Sequence, residues 1–424
     1  NVVALLKACA KKKDLQRGMD VHSAMLETAG GLLETNPFIG SSLIHMYAKC
    51  GDLPKAQKVL DELPVRNSVC WNAMISGYAQ QGQGKEAVYC FNLMQREGFS
   101  PHAITFTSVL KACGSIGALD KGIQIHEMIV RERLLGEDIV LGNALIDMYA
   151  KCNVLTKAQQ VFDGLPNRDV VSWNALISGY TKHGHYMEAL ESFAKMKMEG
   201  LFPNPITLTS ILKACGSTQE INKGKQIHDD ITNRNLLAKD VVLGNALVDM
   251  YGKCGQLGKA RKLLEELPDK DTCSWNALIA EYAQRGQGEE ALDCFGNMQK
   301  ENLFPDAVTF VCIMKACGVT RDVEKGKQIH EMVLSREMVE KDIVLGNALV
   351  HMYAKCGAPE RAARVLDELH VRDIISWNAL IGGYAQQGQG HRALEFFQRM
   401  QSEGLSPDVV TYTCILKACG TIGD

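Results

Sequence analysis

Apolar residues recur along this chain at helical spacing, in stripes that break and restart at regular intervals. Within residues 139–169, Leu141, Ala144, Leu145, Met148, Tyr149 and Cys152 step by three and four, which places them on one face of a helix. Asn153 then offers a break, where the related segments carry Gly51, Gly255 and Gly357, the residue a helix C-cap prefers. A second stripe, Leu155, Ala158, Val161, Phe162 and Leu165, runs up to Pro166, which ends it. The pattern predicts a helical hairpin. Residues 170–204 repeat the logic with Trp173, Leu176, Ile177 and Tyr180, then Ala189, Leu190, Phe193 and Met196, closed by Gly200 and Pro203. Residues 103–138 give a third version: Phe106, Val109, Leu110 and Cys113, a turn at Gly114 to Gly117, then Leu119, Ile123, His126 and Ile129.

These hairpins recur as a set. The string KACG, or KACA, begins at Lys7, Lys111, Lys213, Lys315 and Lys417, and tryptophan occurs at Trp71, Trp173, Trp275 and Trp377, each 102 residues from the last. Fixed-interval repetition predicts one continuous array in which each unit buries its apolar face against its neighbours. The expected motifs are 1–36 (long), 37–67 (short), 68–102 (standard length), 103–138 (long), 139–169 (short), 170–204 (standard), 205–240 (long), 241–271 (short), 272–306 (standard), 307–342 (long), 343–373 (short), 374–408 (standard) and a partial long motif at 409–424. Two extra residues in the first long motif align to the loop around 29–36. The predicted fold is all-α, a right-handed superhelical solenoid of helix-turn-helix repeats.

Composition narrows the function. Lys plus Arg (46) nearly balances Asp plus Glu (49) in 424 residues, so net charge alone announces no polyanion partner, and any such affinity must come from local arrangement. No apolar run is long enough to span a bilayer. The first residues already fall inside a repeat, so the chain reads as starting within a longer protein, with neither signal nor transit peptide expected in it. Nine of the fifteen cysteines recur in phase with the repeat, no CxxC pair exists, and no histidine begins an HxE triplet. Small core cysteines in a reducing compartment are therefore expected, with no metal, no cofactor and no catalytic constellation. His22, His126, His228 and His330, in phase in second helices, read as structural, and the four tryptophans as core.

Tetratricopeptide repeats share the motif length but carry Trp and Leu-Gly early in the first helix. Here the early strings are SWNAL and GNAL. The strings GNALIDMYAKC, VVSWNALISGY and TFTSVLKACGS resemble the pentatricopeptide repeats of plant organelle proteins, in the PLS subclass that mixes long, short and standard motifs. The resemblance covers essentially the whole chain.

Each first helix has a polar residue near its start: Asn72, Asn174, Asn276 and Asn378 in the standard motifs, Ser41, Asn143, Asn245 and Asn347 in the short ones. Asn offers a donor and an acceptor, as the Watson–Crick edge of an exposed base requires. The same residues would also serve simply to start or cap helices. In the resembling family the fifth and last residues of a motif together choose the nucleotide. That implies uracil for Asn143 with Asp169, Asn245 with Asp271, Asn276 with Asp306, Asn347 with Asp373 and Asn378 with Asp408. It implies a pyrimidine for Asn174 with Asn204, adenine for Ser41 with Asn67, and guanine for Thr107 with Asp138 and Thr209 with Asp240. Asn72 with His102 has no assignment, and Val3 with Asn36 and Val311 with Asp342 depart from the pattern, as spacers would.

The family's second position packs against base faces, which implies that role for Phe38, Val69, Val140, Val171, Val242, Cys273, Val344 and Ile375; ordinary packing between repeats is the competing account. Lys49, Lys151, Lys253 and Lys355 lie eight residues after the short-motif reader, about two turns along, and are candidates for phosphate contact. A second row is Lys111, Lys213, Lys315 and Lys417, and solvated surface lysine is the alternative for both rows.

The resemblance implies sequence-specific single-stranded RNA binding, one base per repeat, by the target-recognition module of an organellar C-to-U RNA-editing factor in a mitochondrion or chloroplast. The editing chemistry would belong to a deaminase domain or editing cofactor protein, supplied in trans or by a C-terminal extension, so this chain is not expected to be an enzyme. The rival is a protein- or peptide-binding scaffold of tetratricopeptide type. A peptide groove has no reason to repeat Asn at one phase with Asp, Asn or His 26 or 30 residues later.

Overall fold

A computed structural model describes residues 2–28, 37–136, 138–237, 240–336, 338 and 342–423. They form twenty-five α-helices and one short 3-10 helix, with no strand among the described residues. The chain divides into two compact units, Asn1–Ala214 and Cys215–Asp424. In the first, successive first helices (Val2–Lys12, Pro37–Cys50, Ser68–Gln80, Ala103–Ile116, Ile139–Lys151 and Val170–Lys182) pack side by side, each also against its own second helix. The second unit repeats the scheme with Val241–Lys253, Thr272–Gln284, Ala307–Thr320, Ile343–Lys355 and Ile374–Gln386, and Val409–Ile422 packs on Ile374–Gln386 and Gly390–Ser402.

This packing explains why the two helices of a hairpin differ. Ile139–Lys151 meets neighbours on three sides and buries Leu141, Gly142, Asn143, Leu145, Ile146, Met148, Tyr149 and Ala150. Its partner Leu155–Asp163 has one buried stripe, Leu155, Ala158, Val161 and Phe162, as the periodicity predicts. Only a narrow strip of Ile139–Lys151 stays open, with Val140 and Lys151 its exposed residues. Asn153 ends the first helix with φ +60°, and Gly51, Gly255 and Gly357 take the left-handed conformation at the same place.

Two expectations for residues 103–138 are corrected. The helix runs through Gly114 to Ile116 and turns only at Gly117, with φ +68°. Gly114 is a packing residue: a Cβ there would lie 3.2 Å from Lys151 Cδ and 3.3 Å from Met148 Cα. In the second helix the buried stripe is Gly122, Ile125 and Ile129, with Leu119 and Ile123 on its flank, because Met148 lies over Gly122.

The in-phase cysteines and aromatics are structural. All fifteen cysteines are free, and burial pushes the Cys90, Cys215, Cys294 and Cys317 thiols up to about 12. No metal-ligating cluster occurs among the described residues. His22, His126, His228 and His330 each bond a tyrosine hydroxyl, of Tyr47, Tyr149, Tyr251 and Tyr353, at 2.8–3.1 Å.

Candidate nucleic-acid interface

The residue that closes one motif in the frame above is the N-cap of the next first helix. Asp169 sits at the N-cap of Val170–Lys182 and accepts from the Ser172 backbone N–H at 2.8 Å; Asp271, Asp306, Asp373 and Asp408 do the same for their helices. Capping is therefore real, as the simpler reading required. It does not exhaust these residues.

The Asn of the motif just ended reaches the same cap. Asn143 Nδ2 donates to Asp169 Oδ1 at 3.1 Å, Asn174 to Asn204 at 3.1 Å, and Asn245 to Asp271 at 3.1 Å. Asn276 donates to Asp306, Asn347 to Asp373 and Asn378 to Asp408, each at 3.0 Å. Six of the expected pairs are thus in direct contact across neighbouring first helices. The capping hydroxyl often completes a ring: Thr309 donates to Asn276 Oδ1 at 2.6 Å, Thr411 to Asn378 at 2.6 Å, and Ser274 to Asn245 at 2.5 Å. In the pairs of Asn143 and Asn347 the hydroxyls of Ser172 and Ser376 turn to Asp169 and to the Asp373 carbonyl instead, leaving those two buried amide oxygens without a partner.

Other pairs are not joined. Ser41 donates to the Phe38 carbonyl, Thr107 to Ala103 and Thr209 to Pro205, while Asn67 caps Cys70, and Asp138 and Asp240 cap their own helices. Asn72 is held by the Thr105 hydroxyl at 2.5 Å, not by His102, whose backbone N–H donates to Thr105. Val3 and Val311 line cavities without hydrogen-bonding capacity; Asn36 lies outside the described residues.

Burial pushes the carboxyls of Asp169, Asp271 and Asp306 up, but the hydrogen bonds from the cap and from Asn143, Asn245 and Asn276 outweigh it and hold them below the ordinary range. At Asp408 the Thr411 backbone N–H leads the same depression. The stabilisation from a depressed carboxyl is complete above the unfolded pKa of about 3.9 and is lost as pH falls through the lower folded value. The thermal midpoint should therefore drop below about pH 4, and less steeply when Asp169 and Asp271 are both replaced by Asn. Equal slopes for parent and variant would refute that assignment.

The second-position side chains are open to solvent, from 51% exposed at Val69 to 67% at Phe38, with Val140, Val171, Val242, Val344 and Ile375 between; Cys273 is exposed too. That removes the account of these side chains as packing between repeats. The long motifs supply four more at the same place, Ile104, Ile206, Val308 and Val410, all more than half exposed, which the sequence reading omitted. Their signal was present, an apolar residue three before each Thr107-type position.

Three cavities gather these residues. One, in the first unit, is lined by Thr107, Val140, Asn143, Asp169, Val171, Asn174, Asn204 and Ile206 among others. A second in that unit joins Phe38, Ser41, Val69, Asn72, His102 and Ile104. The third, in the second unit, has a volume of about 550 Å³ and joins Val344, Asn347, Ile375, Asn378, Asp408 and Val410.

The lysine row is uneven. Lys151 and Lys253 each pair with an aspartate four residues earlier, Asp147 and Asp249, at 2.7 Å. Lys49 donates to Gln80 at 2.8 Å. Lys49 and Lys355 have no ion pair among the described residues, and each lines a cavity, as do Lys7, Lys111 and Lys315.

The profile described as the PPR repeat family matches residues 66–115, 168–217, 270–318 and 372–421, and the PPR repeat profile matches 41–68, 104–134, 245–271 and 347–374. An Arabidopsis thaliana relative, pentatricopeptide repeat-containing protein At4g18520, chloroplastic, is 36% identical over 99% of the chain and 67% of its own length. The chain belongs to the pentatricopeptide repeat (PPR) family. Two further Arabidopsis thaliana PPR relatives are At3g15130, 36% identical over 100% of the chain and 61% of itself, and At3g09040, mitochondrial, 34% identical over 99% and 40%. The chain thus spans about two thirds of the first relative and less of the others. The crystal structure of the PPR protein PPR10 in complex with an 18-nt psaJ RNA element is similar with a TM-score of 0.75 at 20% identity, over 93% of this chain and 59% of that one. PPR10 from maize gives 0.66 at 20% identity, over 100% and 66%. The fold is the all-α helical-repeat class that the periodicity predicts.

Proposed function

We propose that this PPR chain binds single-stranded RNA in a sequence-specific way, one base per motif in the frame above. It would be the target-recognition module of an organellar C-to-U editing factor of the PLS subclass, with the deaminase chemistry residing elsewhere. The observation that carries the reading is the set of six amide-to-cap hydrogen bonds at 3.0–3.1 Å. Each fixes a fifth-position amide against a last-position carboxylate or amide beside exposed apolar side chains. A base slid between two such side chains would lose water from both faces, worth about 25 cal/mol per Å², and would meet one paired polar edge. Support also comes from family membership and from PPR10, whose structure was determined with RNA. Chloroplastic and mitochondrial relatives support an organellar setting.

With the N-terminus toward the 5′ end, as the family resemblance implies, the preferred site reads any base, A, uncertain, G, U, pyrimidine, G, U, U, any base, U, U. The guanines are the weaker assignments, since Thr107 and Thr209 bond their own helix. The test is Asn276→Thr with Asp306 retained. Preference at the ninth base should shift from U toward G by about 1–3 kcal/mol in competition binding. An unchanged preference at that base would remove this residue as a reader and favour a peptide-binding scaffold.

A further inference from the structure

Four residues after the short-motif reader, on the open strip of the first helix, stand His45, Asp147, Asp249 and His351. Where the residue is Asp, it pairs with the lysine one turn later and offsets its charge. Where it is His, that lysine keeps its charge. A second lysine from the preceding first helix, Lys7 or Lys315, lines the same cavity, as Lys111 does beside Asp147. We propose that these two clusters, Lys7 with His45 and Lys49, and Lys315 with His351 and Lys355, are the sites where the chain holds RNA phosphodiesters, each taking up a proton as it does so. The proposal rests on the RNA-binding reading above.

The electrostatics favour that use. Both imidazoles are solvent-accessible at the cavity mouth. The surrounding protein first, and then the paired lysines, hold both below the ordinary histidine pKa, so they are neutral in the free chain near pH 7. The groups facing His351 are Lys355 on its own helix, Lys315 on Ala307–Thr320, and Asp408 and Cys414 across the cavity. Ile374–Gln386 lines the cavity with no titratable side chain. Around His45 stand Lys49 and Lys7, with His102 at the far wall, and Ser68–Gln80 supplies only uncharged side chains. A phosphodiester anion seated among two ammonium groups offsets the lysines' share of that depression and favours the charged imidazole. Binding and protonation therefore favour each other. A base reader cannot do this, because it meets an uncharged edge. The site containing Asp147 cannot either, since its Lys151 already holds a carboxylate.

The test is fluorescence anisotropy of the full chain with 5′-UAUGUCGUUUUU-3′, against pH and against salt, with circular dichroism confirming that each variant keeps its helices. Affinity should rise at least about fivefold from about pH 8 to about pH 6, a range spanning the ordinary histidine pKa of ~6.5. Replacing His45 and His351 together by Gln should flatten that rise. Lys315→Ala or Lys355→Ala should each lower the slope of log affinity against log salt by about 0.7, the share of one single-strand phosphate contact, and Lys151→Ala by clearly less. Asp147→His should create a third proton-linked site and steepen the pH dependence. A parent chain that binds this RNA equally at both pH values, or a double Gln variant that keeps the rise, overturns the proposal while leaving RNA binding intact. A parent chain that does not bind the RNA at all overturns the functional reading and this site with it.

Discussion

Trp173→Ala should lower the unfolding free energy of this chain by about 3–5 kcal/mol, the usual cost of emptying a large buried aromatic site. Trp173 is 2% exposed and sits at the seam between two motifs. Its ring meets Phe162 edge-on, with centroids 4.5 Å apart, and its Nε1 donates to Glu199 at 2.9 Å. Arg168 ties the seam together, reaching Glu199 at 3.4 Å and the Phe162 and Asp163 carbonyls, which end the preceding second helix, at 3.2 Å. Removing the indole thus empties a core site and strips one hydrogen-bond partner from the Glu199 carboxylate. In an array each motif leans on its neighbours, so the loss should spread along the unit instead of staying in one hairpin. Urea unfolding followed by circular dichroism measures it. Trp173→Phe, which keeps a ring but loses the donor, should cost less than half as much. A cost below about 1 kcal/mol for alanine would mean the tryptophan seam is not a principal support.

What was legible in the sequence follows from chain geometry. The buried stripes of Ile139–Lys151 and Leu155–Asp163 could be read because a helix repeats every 3.6 residues. The link from Asn276 to Asp306 was implied by the family resemblance, and repetition showed only that the same residue types recur 30 apart. Three features were not legible. Gly114 looks like a turn residue locally, yet it serves a contact with Met148, distant in sequence, which only the fold reveals. Ser41, Thr107 and Thr209 have hydroxyls on short arms, and such groups return to a carbonyl three or four residues back in their own helix. Asparagine reaches further, which is why six of the seven amide pairs close and the hydroxyl pairs do not, Asn72 being held by Thr105 instead. The lysine row read as uniform because its spacing is uniform; what divides it is whether His or Asp stands one turn earlier, as at His351 and Asp147.

Gly383→Glu should destabilise the chain severely, and Ala354→Gly, itself harmful, should rescue it. In three of the four blocks the contact between a short-motif and a standard-motif first helix is Ala against Gly: Ala48 with Gly77, Ala150 with Gly179 and Ala354 with Gly383. A Cβ at Gly383 would fall 2.7 Å from the Ala354 Cβ, closer than carbon atoms approach. The third block reverses the arrangement. Gly252 replaces the alanine, Glu281 replaces the glycine, and a Cβ at Gly252 would fall 2.8 Å from Glu281 Cγ. Glu281 is 7% exposed, and Arg285 lies 3.7 Å from its carboxylate while donating to the Gly252 and Lys253 carbonyls at 3.1 and 2.9 Å. Knob and hole have exchanged sides, and a cation has come with the carboxylate. On these grounds Gly383→Glu alone should cost about 3 kcal/mol, from overpacking and a buried charge without its cation. Ala354→Gly alone should cost roughly 1 kcal/mol through lost helix propensity. Together they should cost less than Gly383→Glu by itself, a coupling of about 2 kcal/mol, and adding Gln387→Arg, which stands where Arg285 does, should recover more. Unfolding energies for the four members of the cycle decide it. If the two costs simply add, the Gly252 and Glu281 pair is not a compensated exchange, and the block would have to tolerate its buried carboxylate by other means.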